Sequence, residues 1–149
     1  MMKPTWLIVA DNSMARIFST NMHKGPIDEV ESISHDEARL HEQELTSDLP
    51  GRSNGKGGAG RHAYADETSP KEQEDLNFAR KIANHLDSAR KSSKFKQLIL
   101  VAAPGFLGNL RNLLTPQTKN LVSFELDKNL AHLSPDEIRR HLPERLPGS

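Results

Sequence analysis

The chain has 149 residues, 20 basic and 20 acidic, for a formal net charge of zero, and no cysteine. That length suits one domain with one core, residues 1–149, and the balanced charge excludes whole-molecule attraction to nucleic acid or anionic lipid. The missing thiols exclude a disulfide scaffold, thiolate metal sites and cysteine nucleophiles, and fit a reducing, cytoplasmic setting. The five-residue apolar run near the start is too short for a secretion signal or a membrane span.

Trp6 to Ala10 is the first apolar run, and Asp11-Asn12-Ser13 ends it with turn chemistry. Ala15 to Ser19 follows at once, so the two runs read as an antiparallel hairpin. After the His23-Lys24-Gly25-Pro26 turn, Ile27 to Ser34 mixes apolar residues with acids, as a solvated edge strand does. The segment His35 to Leu45 is polar and acidic and suggests at most a helical turn. From Asp48 to Tyr64 come five glycines, Pro50 and almost no apolar side chains. So much glycine resists ordering, and a long loop of this kind, at about 48–68, is usually functional or disordered.

Ser69-Pro70-Lys71-Glu72 has the composition of a helix start, with a capping serine, a first-position proline and a glutamate three residues on. Leu76, Ala79, Ile82, Ala83, Leu86 and Ala89 then form one apolar stripe at helical spacing. Gln97 to Ala102 is continuously apolar, as a strand buried on both faces must be. Phe106, Leu107, Leu110, Leu113 and Leu114 outline a second helix, and Leu121 to Leu126 a last strand. Ser134-Pro135-Asp136-Glu137 opens a short final helix ending near Leu142. The order βββ-loop-αβαβα predicts an α/β fold of ribonuclease H-like type, with a five-stranded mixed sheet and flanking helices.

Chemistry concentrates in the loop. Arg52, Lys56, Arg61 and His62 stand among Gly55, Gly57, Gly58 and Gly60, with no acid between Gly51 and Tyr64. Glycine lets the backbone approach a phosphate closely, and the cations supply a field confined to about 10 Å by salt. The segment is no P-loop, because it lacks the Gly-Lys-Ser/Thr ending. The competing reading is a solvated linker.

Among acids, Asp11 and Asp127 end strands, and Glu72, Glu74 and Asp75 open the long helix. In a ribonuclease H-like sheet such acids can hold two metal ions for phosphodiester hydrolysis, using Asp11, Asp127 and an acid such as Glu72. Turn and cap roles are the simpler account of these acids. The histidines show no zinc-ligand spacing, no Gly-x-Ser-x-Gly elbow accompanies them, and no cofactor signature is present.

Val9-Ala10-Asp11 with Ala15-Arg16-Ile17-Phe18, Ala102-Ala103-Pro104-Gly105-Phe106-Leu107-Gly108 and Leu126-Asp127-Lys128-Asn129-Leu130 resemble the bacterial host attachment protein family. That family in turn is similar to the central domain of archaeal and eukaryotic peptide-chain release factors, where a basic Gly-Gly-Gln loop precedes a long helix. Gly57 and Gly58 match the two glycines, while Ala59 stands where the glutamine would be. The resemblance therefore implies contact with the ribosome or tRNA more than hydrolysis. In that reading Arg52, Lys56 and Arg61 meet phosphates, Gly57, Gly58 and Gly60 permit close approach, and His62 and Tyr64 stack on bases. A protein-interaction module acting indirectly in attachment to host cells is the third expectation.

Overall fold

In a computed structural model, residues 2–35 and 70–148 are described. Their elements are β1 (Thr5–Ala10), β2 (Met14–Thr20), β3 (Asp28–Ser34), α1 (Pro70–Lys91), β4 (Gln97–Ala102), α2 (Phe106–Leu113), α3 (Pro116–Lys119), β5 (Val122–Leu126) and α4 (Pro135–Arg140). The strands form one five-stranded sheet in the order β3-β2-β1-β4-β5. β1, β2 and β3 pair antiparallel as a meander, and β4 and β5 join β1 in parallel. The fold is thus the α/β, ribonuclease H-like arrangement that the order of elements predicts.

Why each segment takes its place follows from its apolar pattern. All six residues of β1 and all six of β4 are buried, since each has a strand on both sides and side chains packed on both faces. β3 is the opposite case. Its first five residues are exposed, and its acids keep an open sheet edge from recruiting another strand.

Odd and even positions of β1 and β4 separate two cores. Trp6, Ile8, Leu98 and Leu100 meet α1 and α2 through Phe78, Ile82, Leu86, Phe106 and Leu110. Leu7, Val9, Ile99 and Val101 face the other way, onto Leu130, Ala131, Ile138, Leu142 and Leu146. Each such large apolar side chain contributes roughly 1.5–3 kcal/mol when fully buried.

The helix ends follow local chemistry. Ser134 accepts from the Glu137 N–H while the Glu137 carboxylate accepts from the Ser134 N–H, completing a capping box on α4. The same hydrogen bonds, with Arg140 nearby, hold the Glu137 carboxyl below its ordinary range. α4 ends at Arg140, slightly short of the expected Leu142, which is buried in the turn that follows. Asp87 near the end of α1 accepts from Arg90, Thr115 and Thr118 at 2.8–3.1 Å, pinning α1 to α3. Those donors, Arg90 foremost, hold its carboxyl far below the usual carboxylate range.

Candidate site at the carboxyl edge of the sheet

The parallel strands β1, β4 and β5 run the same way, so their C-terminal ends share one edge of the sheet. β3 lies antiparallel to β2 and so parallel to β1, and it ends at that edge too. There stand Asp11, His35, the Ala103-Pro104-Gly105 turn and Asp127. Pro70, the start of α1, leads into a helix whose far end precedes β4, so it starts from this side. In open α/β sheets this is the edge at which binding groups gather, beside the strand where connections switch direction.

Asp11 is bound tightly to its own turn. Its Oδ1 accepts from the Ser13 N–H and hydroxyl, both at 2.9 Å, and from the Met14 N–H at 3.0 Å. This side-chain-to-backbone turn closes the β1–β2 hairpin. Asp127 is exposed, one residue beyond Leu126. β4 separates the two strands, so about 10 Å of sheet lies between them at the usual strand spacing. The intervening strand ends Ala102-Ala103-Pro104 and offers no acid. Glu72 sits in the first turn of α1. Among the described residues no three acids or histidines come together to hold a metal ion.

His35 is the least expected member of this edge. It is only 5% exposed, its ring stacks on Phe78 with centroids 4.6 Å apart and planes 5° apart, and Phe78 touches Phe106 in turn. Its Nδ1 lies 2.7 Å from the Asn12 carbonyl oxygen, an acceptor only, so Nδ1 carries the hydrogen. Nε2 is buried, with no partner among the described residues; in the neutral ring it is the lone-pair nitrogen. A polar spelling around 35–45 concealed this, because burial of an imidazole leaves no periodic signal.

At Gly105 the backbone turns from β4 into α2 with φ +85, a conformation that favours glycine. Phe106, directly after it, is buried as core. Arg16, another residue of the sequence motifs, is a clamp. Its Nη1 donates to the carbonyls of Ala131 and Leu133, while Nε and Nη2 grip the Glu29 carboxylate at 3.1 and 2.9 Å. Its guanidinium also lies 5.2 Å from the centre of the Phe18 ring. The Arg16 hydrogen bond and charge hold the Glu29 carboxyl below its ordinary range. The motif on β2 is therefore bound to the segment that directly follows the Leu126–Leu130 motif.

The candidate loop residues Arg52, Lys56, Gly57, Gly58, Ala59, Gly60, Arg61, His62 and Tyr64 lie outside the described residues, as does the Ser69 cap. The structure does describe the residues that flank them, His35 and Pro70.

Residues 6–142 match the family model described as "Protein required for attachment to host cells". The chain belongs to that family. A Rickettsia prowazekii (strain Madrid E) relative, "Uncharacterized protein RP470", is 35% identical over 75 residues, 49% of this chain and 50% of the relative. The match thus spans about half the length of that curated relative. Two solved structures are similar at a TM-score of 0.43. One, described as an archaeal protein, is 7% identical, with 84% of this chain and 30% of that one covered. The other, an archaeal translation termination factor, aRF1, is 9% identical, with 93% and 37% covered. Neither likeness is close enough to bear on function. Within this host-attachment chain, Arg16 and the segment it grips both fall inside the matched span. No helix among the described residues is long and apolar enough to cross a membrane.

Proposed function

We propose that this host-attachment family member is an RNA-contacting domain of the translation machinery, binding ribosomal or transfer RNA through residues 51–64. One observation supports the reading above others: His35 and Pro70, which flank the segment containing the loop, both stand at the carboxyl edge of the sheet. The chain leaves β3 and enters α1 on that side, where binding groups gather in open α/β sheets. Arg52, Lys56 and Arg61 supply charge for phosphates, Gly57, Gly58 and Gly60 give the backbone room, and His62 and Tyr64 offer rings for bases. Ala59 has no side-chain amide to position a water, so the proposal is binding without peptidyl-tRNA hydrolysis. The family's link to host attachment is then indirect, through what the cell synthesises.

The test is sedimentation with ribosomes through sucrose gradients at low and moderate salt, comparing the wild type with Arg52→Ala/Lys56→Ala/Arg61→Ala. Co-migration that the triple substitution abolishes is the expected result. Absence of the wild type from ribosomal fractions at both salts overturns the proposal. So does co-migration that the substitution leaves intact.

A further inference from the structure

The opposite edge of the sheet carries a different chemistry. There the N-terminal ends of β1, β4 and β5 meet the β2–β3 turn, the end of α1 and the end of α4. Register fixes this arrangement, since Thr5 pairs with both Thr20 and Gln97, and the Leu98 N–H bonds to the Leu121 carbonyl. Arg139 adds the C-terminal segment by donating to the carbonyls of His23, Gly25, Pro143 and Glu144.

Exposed cations arrive at this edge from separate stretches of chain. Lys3 precedes β1, Lys94 and Lys96 precede β4, and Lys119 precedes β5. Lys24 lies in the β2–β3 turn, Arg140 ends α4, and Arg145 follows it; all are exposed. The Arg139 guanidinium meets carbonyl oxygens here, which satisfy its donors without cancelling its charge. Against these stand fewer acids: Asp28, Asp136, Glu144 and Asp87, the last already held by Arg90 and Lys91. Among the described residues the carboxyl edge is the reverse, with Asp11, Glu72, Glu74, Asp75 and Asp127 against Lys71 and Lys128. Among the described residues, exposed cations therefore outnumber acids at the amino edge and acids outnumber cations at the carboxyl edge. A merely solvated surface would mix them.

Within the basic edge lies a groove of about 670 Å³, bordered by Lys24, Pro26, Arg139, Arg140 and Leu142, with Asp136 and Glu144 also lining it. Five strands at their usual spacing make the edge about 20 Å across, wide enough to meet several phosphates. The indole and phenyl rings nearest it, Trp6 and Phe95, are buried, which leaves the imidazoles of His23 and His141 as the rings at this edge. Nor are apolar residues interleaved with the cations as membrane docking requires; Met22 is the one large apolar side chain exposed there among the described residues. A wide run of cations with no exposed indole, phenol or phenyl ring and little apolar surface suits the phosphate backbone of a duplex.

We infer that the amino edge, through Lys94, Lys96, Lys119 and Arg140 with Lys24, is a docking surface for double-stranded nucleic acid, independent of the 51–64 loop. Fluorescence anisotropy with a labelled RNA duplex and a DNA duplex of the same sequence, each about 20 base pairs, tests it between about 50 and 200 mM salt. The variant is Lys94→Gln/Lys96→Gln/Lys119→Gln/Arg140→Gln, whose fold is checked by its thermal transition. Expected is tenfold or greater loss of affinity at low salt. The slope of log affinity against log salt becomes shallower by about 0.9 for each phosphate that is no longer neutralised. The Arg52/Lys56/Arg61 alanine variant keeps duplex binding under this inference even if it leaves the ribosome, so failure of the loop reading and of this one are separable. An unchanged slope in the glutamine variant overturns the inference. Duplex binding abolished by the loop variant alone, or a wild type that binds phosphatidylserine vesicles and neither duplex, overturns it too.

Discussion

The two faces of the sheet are held by different means. On one face α1 lays a stripe of Phe78, Ala79, Ile82, Ala83, Leu86 and Ala89 against β1 and β4. A 22-residue helix satisfies its own interior backbone, so burial alone is enough to fix it. On the other face the six-residue α4 and the irregular segments around it supply Leu130, Ala131, Ile138, Leu142 and Leu146. Irregular chain leaves carbonyls without partners, and unpaired buried backbone is costly. Two arginines meet that need: Arg16 caps Ala131 and Leu133, and Arg139 caps His23, Gly25, Pro143 and Glu144. Regular structure is held by apolar contact, and irregular structure by apolar contact plus polar pins.

The largest effect is expected on the helical face. Leu86→Ala removes a fully buried side chain from the α1 layer and is expected to cost about 2–5 kcal/mol in urea unfolding. A loss under about 1 kcal/mol would mean that α1 is not seated on the sheet as described. The counterpart on the irregular face is Arg16→Ala. It strips two carbonyls and the Glu29 carboxylate of their donor at once, for an expected loss of about 1–3 kcal/mol. Arg16→Lys is expected to recover only part of this, because an ammonium cannot grip Glu29 bidentately and reach both carbonyls. Equal stability of the lysine variant and the wild type would count against the pin.

The same contrast explains what was legible in the sequence. Gln97 to Ala102 announced a doubly buried strand because every residue obeys one rule, and the stripe from Leu76 to Ala89 announced a helix by its period. Ser134-Pro135-Asp136-Glu137 announced a cap because capping is local. Arg16 looked like any surface cation on a strand, since its partners are more than a hundred residues away at Ala131 and Leu133. His35 is hidden for a related reason: what buries it, Phe78, comes from a helix on the far side of the loop. At the candidate site, the turn role of Asp11 was readable from Asp-Asn-Ser. The gathering of strand ends, with the described acids and cations unevenly shared between the two edges, emerges only once register is known.

A smaller effect separates helix-to-helix pinning from both modes. Asp87 joins α1 to α3 by hydrogen bonds from Arg90, Thr115 and Thr118. Because its folded carboxyl titrates far below the ordinary range, its contribution is complete above the ordinary carboxylate range. As pH falls, an unfolded chain takes up the proton first and the contribution drains away. Asp87→Asn is therefore expected to lower the melting temperature at pH 7, with the gap to wild type level until pH falls to the ordinary aspartate value near 3.8 and narrowing from there toward pH 3 and below. A gap that stays constant over that range would assign the effect to packing instead of charge.

The gentlest probe addresses how much α4 depends on its own cap. Ser134→Ala deletes the hydroxyl that accepts from the Glu137 N–H, leaving the Glu137 carboxylate still able to accept from the backbone of residue 134. Loss of an N-cap oxygen typically costs about 1 kcal/mol. In a helix of six residues it removes a large share of what holds the first turn, while Ile138 stays buried and Arg139 stays bound to its carbonyls. If packing and the arginine pins dominate this face, the variant loses about that much and amide exchange quickens only in the first turn. Unfolding of the whole 130–146 layer in response to this one substitution would show instead that the cap, and not the two arginines, keeps the irregular face in place.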